Sequence, residues 1–330
     1  MVNTAKYQKL LSIVVPVFNE VELIDVFCKR MLNVVDSLDT FSFEIIFVDD
    51  GSEDGSYQKL LNMFDPKASI KIIKLSRNFG HQIAITAGID NAKGDAVVVI
   101  DADLQDPPEV ITSLIKKWEE GYDVVYGIRK TREGESRMKL LTATLFYRVM
   151  KVIIKIDIPV DAGDFRLMSK RAVNSLRKLR ERDRFIRGLV SWIGFKQTGV
   201  YYDREKRYAG KTKYPYTKMI KFAIDGITSF SGFPLRIATL LGYLTSLSAF
   251  FYLCNVFIQK ACGNTVHGWA TIMIGVLLIG GVQLICLGII GEYISRIFNE
   301  IKQRPIYIIE EMKECKSDGN GNFTGKPIAN

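Results

Sequence analysis

Two stretches near the C-terminal end constrain this chain more than anything else in it. No residue from Ile237 to Ile258 is charged, and none from Gly268 to Gly291. As helices rising about 1.5 Å per residue, they would be roughly 33 and 36 Å long, enough to cross a hydrocarbon core of about 30 Å. A pair of buried core helices is the competing reading, but two such runs in succession favour membrane spans. The connection, Gln259 to His267, is short, so the runs should form a hairpin with both ends on one side. Arg236 precedes the first run, Arg296, Lys302 and Arg304 follow the second, and the connection holds only Lys260. The positive-inside rule then places both long flanks in the cytoplasm. No apolar N-terminal segment resembles a signal peptide, so residues 1 to about 230 are expected to stay there.

The remaining composition excludes several classes. With 330 residues, 48% hydrophobic, the chain is too apolar for disorder, and five cysteines without a C-x-x-C pair do not make a disulfide scaffold. Those cysteines read as free thiols, and two histidines are too few for a typical zinc site. The net charge of +9 by itself would admit nucleic acid as a partner.

Ahead of the hairpin, short β-branched runs alternate with helix-length segments. Leu11 to Val17, Phe43 to Val48, Ile70 to Leu75, Ala96 to Ile100 and Asp123 to Tyr126 read as strands. Glu20 to Leu38, Asp54 to Phe64, His81 to Asn91 and Pro107 to Glu120 read as helices, the prolines suiting a first helical turn. The pattern predicts an α/β domain with a mainly parallel sheet and ligands beyond its C-terminal strand ends. Neither G-x-G-x-x-G nor a P-loop follows the first strand, which disfavours an ordinary dehydrogenase or NTPase.

The second strand runs into Asp49-Asp50-Gly51-Ser52 and the fourth into Asp101-Ala102-Asp103-Leu104-Gln105-Asp106. On extended backbone, Asp101 and Asp103 share one side and can hold a hard divalent cation. Gln105 can add a neutral oxygen. Mg2+ or Mn2+ held this way shares its coordination sphere with substrate phosphates. A lone D-x-D is a weak signal; at a strand end after four apolar residues it gains weight.

Several motifs coincide at this point. Val15-Pro16-Val17-Phe18-Asn19-Glu20, Val48 to Ser52, Asp101-Ala102-Asp103 and Gly163-Asp164-Phe165-Arg166-Leu167 together resemble the inverting glycosyltransferases of family 2, which have the GT-A fold. Adding Asn78-Phe79-Gly80, Gly226 to Phe230 and the hairpin, the chain resembles the polyisoprenyl-phosphate branch, nearest to bactoprenol glucosyltransferases and more distantly dolichol-phosphate mannose synthase. The likeness runs from about residue 11 to 311. It implies a Rossmann-like GT-A catalytic domain over 1–212, an amphipathic interfacial segment over 213–233, two transmembrane helices over 234–295 and a cytoplasmic end over 296–330. It implies a UDP-sugar, with UDP-glucose first, as donor and undecaprenyl phosphate as acceptor in a bacterial inner membrane, serving cell-envelope O-antigen modification. Pro16, Phe18, Glu20 and Asp49 would surround the base and ribose, and Asp101, Asp103 and Gln105 would hold the metal on the diphosphate. Relatives often carry tyrosine where this chain has Phe18, so a base contact there should be stacking alone. Arg207, Lys211 and Lys213 match a basic motif expected to close over the phosphates. Relatives of this branch are expected to be oligomers, as tetramers.

An inverting transfer is one in-line displacement at the anomeric carbon. A lipid monophosphate has a second pKa of about 6 and is already anionic at neutral pH, so the site needs cations more than a strong base. Arg129, Arg132, Arg137, Arg166, Arg204 and Arg207 are candidates for that clamp, Arg129, Arg166 and Arg207 first. Asp164 is the family's usual candidate base; the phosphate argument makes it a group that orients the acceptor or a clamp arginine.

Arg177, Lys178, Arg180, Arg182, Arg184 and Arg187 read mostly as solvated or membrane-facing charges. Tyr214 to Phe230 reads as an interfacial helix, with an amphipathic core helix as the alternative. The excess positive charge is thereby assigned to an anionic membrane surface and substrate phosphates, not nucleic acid. Arg304 to Ile309 reads as a short strand that pairs with another subunit, and Lys316 to Asn330 as a disordered tail. A processive polysaccharide synthase would want more spans and a Gln-x-x-Arg-Trp motif, absent here. A non-catalytic membrane scaffold would have no need of Asp101, Asp103 and Asp164 together.

Overall fold

A computed structural model describes residues 9–62, 68–130, 162–205, 231–263, 268–317 and 323–327. The chain divides into two compact units, one holding every strand and one holding the two long apolar helices.

The first unit is built from β1 (Lys9–Val17), α1 (Ile24–Asp36), β2 (Phe41–Asp49), α2 (Ser56–Leu61), β3 (Ala68–Leu75), α3 (His81–Asn91) and β4 (Ala96–Val99). A 3-10 turn (Pro108–Val110) then leads into α4 (Ile111–Glu119) and β5 (Val124–Arg129). Next come β6 (Ala162–Ser169), α5 (Lys170–Lys178), α6 (Ile186–Trp192) and β7 (Gln197–Tyr202), with β8 (Ile309–Ser317) and β9 (Phe323–Pro327) closing the chain. The nine strands among the described residues form one mixed sheet in the order β7-β5-β6-β4-β1-β2-β3-β8-β9. Neighbours β1, β2, β3 and β4 are parallel, as a βα alternation requires. Their continuous apolar runs are buried between helices, with Leu11, Ile13, Val15, Ile45, Ile72 and Val98 in the core.

Two strands run against this direction. β6 lies between β4 and β5 and is antiparallel to both. Its first residues therefore sit at the edge where β4 and β5 end. The other is β8, antiparallel to β3, with β9 beyond it.

The end of the chain departs from expectation. The strand begins at Ile309 rather than ending there, and it pairs with β3 of its own chain. Lys74 reaches Glu310 at 3.0 Å and Tyr57 hydrogen-bonds Glu311, so charged residues hold the strand in place. This pairing within the chain removes the argument for strand addition between subunits, and part of the tail expected to be disordered forms β9.

The second unit consists of α7 (Phe233–Ala261) and α8 (Trp269–Ile301), of 29 and 33 residues. Cys286 Sγ lies 3.5 Å from the Ala238 carbonyl, and the Tyr293 hydroxyl donates to the Ser231 carbonyl at 2.6 Å. Seven residues back on one side answer to seven forward on the other, which is an antiparallel hairpin. Both helices are long and apolar enough to cross a membrane. Their apolar side chains face outward, Tyr243 and Leu284 both 71% exposed, the reverse of a soluble core. The expected interfacial segment lies outside the described residues up to 230.

Candidate active site

The C-terminal edge of the sheet collects the polar residues. Pro16 is buried at the end of β1, Phe18 just past it is 37% exposed, and Glu20 opens the turn into α1. The β1 and β2 loops are sewn together: Asn19 N–H donates to Ser52 Oγ at 3.0 Å, Glu20 N–H to Ser56 Oγ at 3.0 Å, and Glu53 N–H to Asn19 Oδ1 at 2.9 Å. Asn19 takes a left-handed φ of 53°, a conformation asparagine tolerates.

Asp49 and Asp50 are both buried at the end of β2. Burial raises both carboxyls above the ordinary range. Asp50 accepts the backbone N–H groups of Phe79 and Gly80 at 2.7 and 2.9 Å, fixing the loop that opens α3. Asp49 Oδ2 accepts from Ser52 N–H at 3.3 Å, while its buried Oδ1 has no hydrogen-bond partner. Gly51, with φ of 71°, packs so closely on this loop that a Cβ would lie 2.6 Å from the Arg77 carbonyl carbon.

Because β6 is antiparallel, Asp164 arrives beside the end of β4. His81, the first residue of α3, places Nε2 at 3.3 Å from Asp101 Oδ1 and 3.4 Å from Asp164 Oδ2. Gln82 donates to Asp164 Oδ2 at 3.2 Å and accepts the Ile186 N–H at 3.0 Å, joining α3 to α6. Arg187 then grips Asp164 with two parallel bonds, Nε to Oδ1 at 2.9 Å and Nη2 to Oδ2 at 3.0 Å. Burial opposes ionisation of Asp164, yet Arg187, His81 and Arg166 hold its carboxyl well below the usual range. Burial also lowers His81, but Asp101 and Asp164 outweigh it and push the imidazole up to about 9. Asp101 goes the other way. Burial raises it to about 6, His81 partly opposing and Asp164, Asp106 and Asp103 adding like charge.

Asp101 and Asp103 both follow β4, but residues 102–106 form a turn rather than the extended backbone on which the spacing argument rests. Among the described residues no three His, Cys, Asp or Glu side chains form a metal cage. Two carboxylates suit a divalent cation that completes its shell with substrate phosphate and water. The buried Asp101 Oδ1 accepts no hydrogen bond, although its charge faces His81 Nε2 at 3.3 Å, and this leaves a lone pair for such a group. Gln105 turns its amide oxygen to Arg204 Nη2 at 2.7 Å, while its N–H donates to Asp103 Oδ1 at 3.1 Å. It supports the turn rather than facing a metal.

The expected cationic clamp divides. Arg129, ending β5, lies 3.4 Å from the buried Asp106, which also accepts the Tyr202 hydroxyl. Arg166 is only 4% exposed and donates to the carbonyls of Gly163 at 2.8 Å and Asp164 at 3.3 Å. Burial pulls it down to about 10, and its guanidinium is spent on its own strand. Arg132, Arg137, Arg207, Lys211 and Lys213 lie outside the described residues.

The basic run after β6 is solvated only in part, Lys178 and Arg180 being exposed. Arg177 donates to the Ile89 and Ala92 carbonyls that end α3, and Arg180 pairs with Asp90 at 2.6 Å. Arg184 is buried, and Arg187 belongs to the site. His81, Gln82 and Arg187 were therefore missed from the sequence. The only local signal was that His81 and Gln82 directly follow Asn78-Phe79-Gly80.

Comparison with known proteins identifies the family of the chain. Residues 12–177 match the Glycosyl transferase family 2 profile, and 233–297 match the GtrB C-terminal hairpin. The glycosyltransferase YkcC of Bacillus subtilis is 50% identical over 91% of this chain and 93% of its own length. A prophage bactoprenol glucosyl transferase homolog of Escherichia coli K12 is 41% identical over 92% of this chain and 99% of its own. Among solved structures, mannosyl-3-phosphoglycerate synthase from Rubrobacter xylanophilus aligns with a TM-score of 0.45 at 16% identity, covering 66% of this chain and 71% of that one.

Proposed function

Since the chain belongs to glycosyl transferase family 2, we propose that it transfers one glucose from UDP-glucose to undecaprenyl phosphate, inverting the anomeric carbon. The relatives named bactoprenol glucosyl transferase and the matching hairpin support a lipid-phosphate acceptor. The observation that carries the reading is Asp164, buried beside Asp101 and ringed by His81, Gln82, Arg166 and Arg187. A carboxylate held that firmly as an anion is a weak proton acceptor and a good anchor for cations. That suits an acceptor needing no deprotonation.

In this reading Pro16, Phe18, Glu20 and Asp49 receive the nucleoside, Phe18 stacking on the base. Asp101 and Asp103 would hold Mg2+ or Mn2+, which supplies charge neutralisation for the diphosphate that departs. Arg187 and His81, oriented by Asp164, bring the acceptor phosphate toward the anomeric carbon. Arg129, steadied by Asp106 and Tyr202, adds positive charge from the β5 side. The bond from anomeric carbon to the UDP oxygen breaks with its electron pair leaving on UDP. The new bond forms to a lipid-phosphate oxygen on the opposite face. Arg207, Lys211 and Lys213 add charge over the donor phosphates. The hairpin holds the enzyme in the bacterial inner membrane, with both termini and the sheet domain cytoplasmic.

The test is incorporation of radiolabelled sugar into an organic-extractable product. Full-length protein, undecaprenyl phosphate and Mg2+ or Mn2+ are supplied with a panel of UDP-sugars. Glucose should enter the lipid phase; if no donor labels the lipid, the reading fails.

A further inference from the structure

The D-x-D turn has an unusual backbone. Leu104, between Asp103 and Gln105, adopts φ of 59° although it is a buried leucine, 2% exposed. A left-handed leucine is strained and persists only where its surroundings over-determine it. The Leu104 side chain is seated in the hydrophobic core, and the polar ties on the rest of the turn come from α1 and from the chain leaving β7.

Arg30, on α1, spends its guanidinium on two carboxylates at once. It donates to Glu109 at 3.0 and 2.7 Å and to Glu205 through two bonds of 2.8 Å. Glu109 lies in the 3-10 turn that follows the D-x-D segment. Glu205 N–H donates to the Gln105 carbonyl at 3.0 Å, and its neighbour Arg204 holds the Gln105 amide oxygen. The metal turn is thus tied at Gln105 and Glu109 to a single arginine that reaches neither Asp101 nor Asp103.

We propose that Arg30 is a positioning residue for the metal and donor diphosphate: its double fork holds the Asp103–Gln105 turn in the strained form that presents both aspartates. This rests on the assignment of Asp101 and Asp103 to a divalent cation. A planar guanidinium can bind two carboxylates bidentately, whereas an ammonium cannot, so lysine should be a partial substitute.

The probe is Mn2+ in the presence of UDP, titrated into full-length protein in detergent and followed by the electron paramagnetic resonance of free Mn2+. Arg30→Met keeps most of the side-chain volume and removes the fork. Its Mn2+ dissociation constant should rise about tenfold or more, the range seen when the support of a metal ligand is lost. Arg30→Lys should fall between it and wild type. Glu205→Gln, which spares α1, should move the same constant in the same direction and guards against a folding defect in Arg30→Met. A structural role alone would lower melting temperature and active fraction while leaving the Mn2+ constant of the folded protein unchanged. Unchanged Mn2+ affinity in both Arg30→Met and Glu205→Gln overturns the inference and leaves the functional reading intact. A wild-type protein that binds no Mn2+ with UDP removes the metal assignment and this inference together.

Discussion

Arg187 holds Asp164 in a bidentate pair, at 2.9 and 3.0 Å, and the two come from different elements, α6 and the start of β6. Asp164 is buried and Arg187 half-buried. Removing the arginine leaves a buried carboxylate short of its principal partner. Arg187→Ala should lose about 3 kcal/mol of stability and about a hundredfold in kcat, with Arg187→Lys recovering only part. Thermal unfolding and steady-state transfer read the two effects separately. Wild-type kcat in folded Arg187→Ala would remove Arg187 from the acceptor clamp.

Asp164 itself gives a pH test. Its carboxyl is lowered in the folded protein, so the stability it contributes is complete above the unfolded value of about 3.9 and is lost as pH falls through the lower folded value. Asp164→Asn should therefore be less stable than wild type at neutral pH, with the gap closing in acid. Its pH–rate profile should keep any acidic limb of the wild type, because the anchoring role involves no proton transfer. With chemistry rate-limiting, disappearance of such a limb in Asp164→Asn would establish a true base.

Gly51 and Gly55 both have positive φ, 71° and 90°, but only Gly51 faces backbone at 2.6 Å; nothing lies within 4 Å of a Cβ at Gly55. Gly55→Ala should cost about 1 kcal/mol, the backbone term alone, and Gly51→Ala about 3 kcal/mol or more. Denaturant melts of the two variants supply the comparison. Equal losses would mean that the packing of the β2 loop on Arg77 and Asn78 is not tight in solution.

Cys28 is buried on α1, and burial, with Asp25 adding, pushes its thiol up to about 12. The thiolate is the reactive form, so iodoacetamide should leave native Cys28 unmodified from about pH 7 to about pH 10 while labelling the exposed Cys262. In urea Cys28 should label readily. Peptide mass spectrometry distinguishes the sites, and native labelling of Cys28 at the rate of Cys262 would contradict its burial.

The pairing of β8 within its own chain can be trapped. Lys74 and Glu311 are register partners across β3 and β8. Lys74→Cys with Glu311→Cys should oxidise to a cross-link inside one chain, seen as a faster-migrating band without reductant. A covalent dimer would restore pairing between subunits.

What could be read from the sequence follows from locality. β1 to β4 are buried on both faces, so their apolar runs announce them, and α3 begins and ends as expected at His81 and Asn91. The D-x-D pair could be found because two neighbours on one strand end carry the whole signal. The Arg187–Asp164–His81 cluster has no such signature. Three elements bring it together, one being a reversed strand, and no periodicity encodes that. β8 was displaced because Ile306 to Ile309 looks more strand-like than Glu310 to Lys316. That charged segment is held by cross-strand partners on β3 and by Tyr57, which matter at a sheet edge and are invisible locally.

The reversal of β6 makes its first residues answer to the last residues of two other strands. Ile128 near the end of β5 is the register partner of Ala162 at the start of β6, and Val99 at the end of β4 is the partner of Arg166. Asp164 lies between those two pairings, so the sheet sets its height against the end of β4 before any ligand arrives.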